Sequence, residues 1–98
     1  MKIYQEDAAA RLFHAVTLLR DEEEYAAFFE DICTINEIID IAQRLDTALL
    51  LDQGKNYHEI SEQVGVSTAT ISRVNRCLQY GAGGYRAVID RMKAEKEE

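Results

Sequence analysis

Proline is absent from this sequence, and only two of its 98 residues are cysteine. Without proline, no residue is forced to break a helix from within. Alternating β-branched runs are also scarce, so the chain is expected to be all-α. Cys33 and Cys77 form neither a CxxC pair nor a secreted-type framework, and both are expected to be reduced and half-buried. No stretch approaches the roughly 20 apolar residues of a membrane span, so no membrane partner is expected. The opening MKIYQEDAAARLF carries early acids and no cleavable apolar run, unlike a signal peptide, which points to the cytoplasm. His14, His58, Cys33 and Cys77 lack metal-ligand spacing, and no serine or cysteine has a motif-defined base. Neither a metal site, a cofactor nor a catalytic residue is therefore expected. The glycine-rich QYGAGGY at 79–85 follows no strand, which leaves a nucleotide-binding loop unsupported. The length suits one domain, 1–98.

What the chain does contain is a helix-turn-helix pattern over about 57–78, YHEISEQVGVSTATISRVNRCL. Ile60 and Val64 lie four apart on a short first helix. Gly65 supplies a left-handed residue at its end, and Val66 can plug the corner. Ser67 is a good N-cap for a second helix, on which Ile71, Val74 and Leu78 recur at helical spacing. Ser61 is small where the two helices must approach. In such a motif the second helix enters the DNA major groove with its N-terminal residues at base edges. Those residues are Ser67, Thr68, Ala69, Thr70 and Ser72, short and mostly hydrogen-bonding. A hairpin built only for packing would use longer helix formers there. Thr68 and Thr70 are expected at base edges with Ala69 beside a thymine methyl, and Lys55, His58, Arg73 and Arg76 at phosphates.

The formal net charge of -7 looks wrong for a DNA binder, but it is unevenly placed. Residues 1–54 hold four Lys/Arg against twelve Asp/Glu, a balance of -8, whereas residues 55–98 stand at +1. Without the terminal EKEE the second half is +3. Lys55, Arg73, Arg76, Arg86, Arg91 and Lys93 are left to meet phosphates. An acidic body can also suppress non-specific DNA binding.

Residues 6–20 form an apolar stripe through Ala9, Leu12, Phe13, Val16 and Leu19, with the lone His14 beside it. Asp21 can cap a second helix, whose first turn is acidic and whose apolar face is Tyr25, Phe28, Phe29 and Ile32. Thr34 and Glu37 make a capping box for the longest helix, about 35–52. That helix is apolar around most of its circumference: Ile35, Ile38, Ile39, Ala42, Leu45 and Leu49 in one stripe, Ile41, Ala48, Leu50 and Leu51 beside it. A monomer of this size has little interior for such a helix, so a homodimer sharing these helices is expected. Gly54 ends it, and Asn56 with Glu59 opens the helix-turn-helix with another capping box. Tyr85, Val88, Ile89 and Met92 define a last helix that should fold back on the core, with residues 93–98 fraying.

Six helices in this order, a shared apolar body and the run ATISR at 69–73 resemble the tryptophan repressor superfamily. Within it, the stretch 34–78 is similar to the tryptophan-repressor-related proteins labelled YerC/YecD. The resemblance implies a six-helix, Trp-repressor-like intertwined homodimer that regulates transcription by binding double-stranded DNA at a near-palindromic site. The alternative is a protein-interaction or dimerisation module whose helix-turn-helix no longer binds DNA. In the tryptophan repressor, L-tryptophan lies between the long helix and the recognition helix, its indole sandwiched by two arginines. Aligned through Gly54 and ATISR, Arg44 and Arg73 match those arginines, and Thr34 matches a threonine at a helix start. Val74 stands where the repressor has glycine, and Cys77 where it has serine. The candidate ligand pocket is thus Thr34, Arg44, Arg73, Val74 and Cys77. Val74 is expected to occupy part of it, so L-tryptophan is not expected as a corepressor.

Overall fold

A computed structural model of the chain describes residues 6–97. Among them are six α-helices and no strand: α1 Glu6–Thr17, α2 Glu22–Ile32, α3 Ile35–Asp52, α4 Tyr57–Val64, α5 Thr68–Tyr80 and α6 Gly84–Lys96. The all-α expectation holds. The first five residues of the stretch read for a signal peptide, and the last residue of the tail, lie outside the described residues. Contacts divide the chain after Ile38 into two units, a boundary that falls inside α3.

In the first unit, local chemistry sets each boundary. The apolar stripe reaches Leu19, yet α1 stops at Thr17. The Thr17 hydroxyl donates to the His14 carbonyl (2.6 Å). The amides of Leu18 and Leu19 then donate to the carbonyls of Ala15 and Val16, tightening the last turn into i→i−3 bonds. Arg20 is drawn into the next helix start, its amide donating to Glu24 Oε1 (2.8 Å). Asp21 caps α2 by accepting the Glu24 amide (2.9 Å). At the start of α3, Thr34 Oγ1 accepts the Glu37 amide (3.1 Å) and Glu37 Oε1 the Thr34 amide (2.8 Å), the expected capping box. Phe28 and Phe29 meet edge-on at 5.7 Å between ring centroids. Yet no residue of α1 or α2 is buried. Phe13, Leu18, Ile32 and Ile35 are 55, 64, 53 and 76% exposed. Large apolar side chains are thus left open to solvent along this unit.

The second unit has a core. α3 ends in a Schellman arrangement: Gly54 takes φ +88°, its amide donates to the Leu51 carbonyl, and the Lys55 amide donates to the Leu50 carbonyl. Asn56 and Glu59 form the second capping box at α4. Two side-chain clusters hold the helices. Leu50 of α3, Ile60 of α4 and Ile71 of α5 make one, with Val64 and Val66 packed against it. Ala48 of α3, Val74 of α5 and Ile89 of α6 make the other, joined by Leu49, Leu51, Leu78 and Tyr85. Val66 does plug the helix-turn-helix corner. Where fraying was expected from Lys93, α6 continues to Lys96 among the described residues, and the Lys93 ammonium pairs with Asp52.

Candidate nucleic-acid interface

The turn between α4 and α5 is built by three residues. Gly65 takes φ +85° and its amide donates to the Ser61 carbonyl. Ser61 Oγ donates to the Val66 carbonyl (2.9 Å), so the small residue also locks the corner. Ser67 Oγ accepts the Thr70 amide (3.1 Å) and starts α5. A further clasp joins the two helices, with Asn75 Nδ2 donating to the Tyr57 hydroxyl (3.3 Å). The sequence pattern did not show that pair, which is distant along the chain.

α5 is fixed in rotation by Ile71 and Val74, both buried. Thr68, Ala69, Ser72, Arg73 and Arg76 are then all exposed, on one face. α5 carries no acidic residue, so its two arginines are not neutralised from within the helix. Thr70 stands at the margin of that face. It is half-buried, and its hydroxyl lies 3.2 Å from Ser67 Oγ. Lys55 and His58 are exposed at the entry to α4, with His58 Nε2 2.8 Å from Glu62 Oε1. Two cations read as free for phosphates are engaged instead: Arg86 with Asp52 and Asp90 (2.9 Å each), and Lys93 with Asp52 (2.6 Å).

Beside this face, Arg44, Arg73, Val74 and Cys77 come together around a crevice of about 250 Å³, with Thr70 and Tyr85. Of the residues expected in the ligand pocket, Thr34 lies outside the unit that holds this crevice, and its hydroxyl caps α3. Val74 is only 3% exposed and forms the floor as part of the core. Cys77 is exposed rather than half-buried, because it faces the crevice and not the Val74 cluster. Tyr85, expected only as part of an apolar stripe, also lines the crevice. Burial pushes its phenol pKa up, the neighbouring Cys77 adds to this, and Arg44 pulls it down. The crevice adjoins an apolar groove of about 630 Å³ lined by Ile41, Leu45, Cys77, Tyr85 and Val88, among others. No helix among the described residues is long and apolar enough to cross a membrane.

Known proteins share this architecture. The profile of the family described as Trp repressor protein matches residues 8–93. The "Uncharacterized protein YerC" of Bacillus subtilis (strain 168) is 50% identical over 88 residues, covering 90% of this chain and 85% of that protein. The crystal structure of a TrpR-like protein from Eubacterium eligens ATCC 27750 superposes with a TM-score of 0.85 at 48% identity, over 89% of this chain and 90% of that one. A candidate Trp repressor from Staphylococcus aureus gives 0.84 at 46% identity, over 89% and 87% of the two chains. A profile match across most of the length, joined by half-identical sequence and a common six-helix fold, places the chain in the Trp repressor family.

Proposed function

We propose that this protein is a sequence-specific, DNA-binding transcriptional regulator that acts as a homodimer. The observation that carries it is the exposed, acid-free face of α5, where Thr68, Ala69 and Ser72 stand beside Arg73 and Arg76. Short hydroxyl side chains can approach base edges closely, and the two arginines, with Lys55, meet phosphates on either side, while His58 must first leave Glu62 to do so. Thr70, held by Ser67, contributes from the margin. The acidic residues concentrated before Gly54 restrain non-specific binding and leave selectivity to this face.

Dimerisation is supported by apolar surface that one chain leaves open. The α1 and α2 helices bury no side chain, and the second unit presents an apolar groove along Ile41, Leu45 and Val88. A second copy covering these faces would also pair two α5 helices about a twofold axis, which requires a near-palindromic site. L-tryptophan is not its corepressor on this account. Val74, fixed in the core, and Tyr85 both line the crevice that Arg44 and Arg73 border, and neither can withdraw to make room for an indole without disturbing the Ala48–Val74–Ile89 cluster.

Fluorescence anisotropy against random-sequence duplexes, repeated across a salt series, tests the proposal. Binding that weakens steeply with salt and is surpassed by a selected site supports it. Absence of binding at low salt would instead make the helix-turn-helix a protein-interaction element.

A further inference from the structure

We infer that Tyr85 is the positioning residue that sets the reading end of α5 against α3, which rests on α5 being the DNA-reading helix. α5 is seated at two places, Ile71 against Leu50 of α3 and Ile60 of α4, and Val74 against Ala48 of α3 and Ile89 of α6. The flank of α5 bearing Thr70, Arg73 and Cys77 does not close onto α3, and the crevice of about 250 Å³ opens there opposite Arg44. Among the described residues, Tyr85 is the one lining that crevice that belongs to neither helix. Its ring packs on the Ala48–Val74–Ile89 cluster and reaches surroundings shared by Cys77 on α5 and Arg44 on α3.

Tyr85 is itself held from both sides. Its neighbour Arg86 is 2.9 Å from Asp52, so the first turn of α6 is tied to the end of α3. On the other side, the Gly81 amide donates to the Cys77 carbonyl (2.8 Å), and a Cβ at Gly81 would stand 2.4 Å from that oxygen. α5 ends at Tyr80 and α6 begins at Gly84, so this short turn delivers Tyr85 to the crevice. A stiff aromatic ring, with only two side-chain torsions to order, suits the part of a wedge. Removing it leaves a void into which α5 can slacken, so that the helix opens more often and fewer molecules hold α5 correctly placed.

The test compares the full-length wild type with Tyr85→Phe and Tyr85→Ala, with and without p-cresol, the phenol ring that the alanine variant lacks. Two readouts are taken: affinity for a selected duplex, and amide hydrogen exchange at residues 71–74 of α5. Tyr85→Phe should match the wild type. Tyr85→Ala should lose about tenfold in affinity through its smaller competent fraction, with exchange in α5 accelerated to a similar extent. Millimolar p-cresol should reverse both effects in Tyr85→Ala and leave the wild type unchanged. Wild-type exchange in α5 of Tyr85→Ala overturns the inference, as does acceleration that p-cresol leaves in place, or acceleration of the same size at Ile60 of α4, which would mark a general loss of stability. The exchange readout decides the matter even if the wild type binds no duplex, an outcome that would sink the proposed function alone. Should Tyr85→Ala fail to fold, Tyr85→Leu replaces it: faster α5 exchange supports the inference, and wild-type exchange contradicts it.

Discussion

The Lys93 ammonium lies 2.6 Å from Oδ2 of Asp52, binding α6 to the last residue of α3. Arg86 takes the other carboxylate oxygen at 2.9 Å, and the Asp52 side chain is left only 12% exposed. The hydrogen bond from Lys93 foremost, then Arg86, holds this carboxyl below its usual range against the opposing effect of burial. Both cations remain substantially exposed, so Asp52→Asn should cost only about 1 kcal/mol. A depressed folded pKa means the stabilisation is complete above the unfolded value of about 3.9 and disappears as pH falls through the folded value. Melting curves of wild type and Asp52→Asn should therefore differ at neutral pH and converge in acid. Parallel curves throughout would show that Asp52 gains nothing from its charge.

Assembly makes a second prediction. With no buried side chain in α1 or α2, folding and association should be one event, and the melting temperature should rise with protein concentration. Leu45→Asp places a charge in the apolar groove and should unfold the protein rather than release a monomer. Sedimentation showing a folded monomer at low micromolar concentration would refute the obligate dimer.

Local signals in the sequence were reliable where both partners lie within one helical turn. Asp21, Thr34 with Glu37, Asn56 with Glu59, Gly54, Gly65 and Ser67 all perform the capping or turn roles their types imply. Pairings between distant residues were not legible. The end of α6 looked like a fraying tail because nothing near Lys93 announces Asp52, and Arg86 looked like a phosphate ligand for the same reason. The exposed members of α5 follow from the spacing of Ile71 and Val74. Thr70 shows the limit of that spacing: one residue before Ile71, it turns toward Arg44 and Ser67. Tyr85 carried a helical apolar pattern, which cannot distinguish a core residue from one wedged into a crevice.

Readers and anchors on α5 should respond differently to mutation. Thr68→Ala or Ser72→Ala should change preference by about 1–3 kcal/mol at one base pair. Arg76→Ala should weaken every sequence alike and reduce the salt slope by about 1. Equal losses on all sequences for both classes would show the two roles to be misassigned.

Calorimetric titration with L-tryptophan should give no heat of binding up to millimolar ligand. Val74, at 3% exposure, cannot retreat from the crevice without opening the core, and overpacking at such a site costs about 1–3 kcal/mol. An isotherm of one ligand per chain at micromolar affinity would restore tryptophan sensing.

The central claim is that paired α5 helices read DNA, and selection of bound duplexes from a random pool by the purified protein tests it most directly. The account predicts one enriched site with two inverted half-sites whose centres lie about 34 Å apart, one turn of the double helix. Sequencing that returns no enriched motif, or one without inverted symmetry, would contradict it.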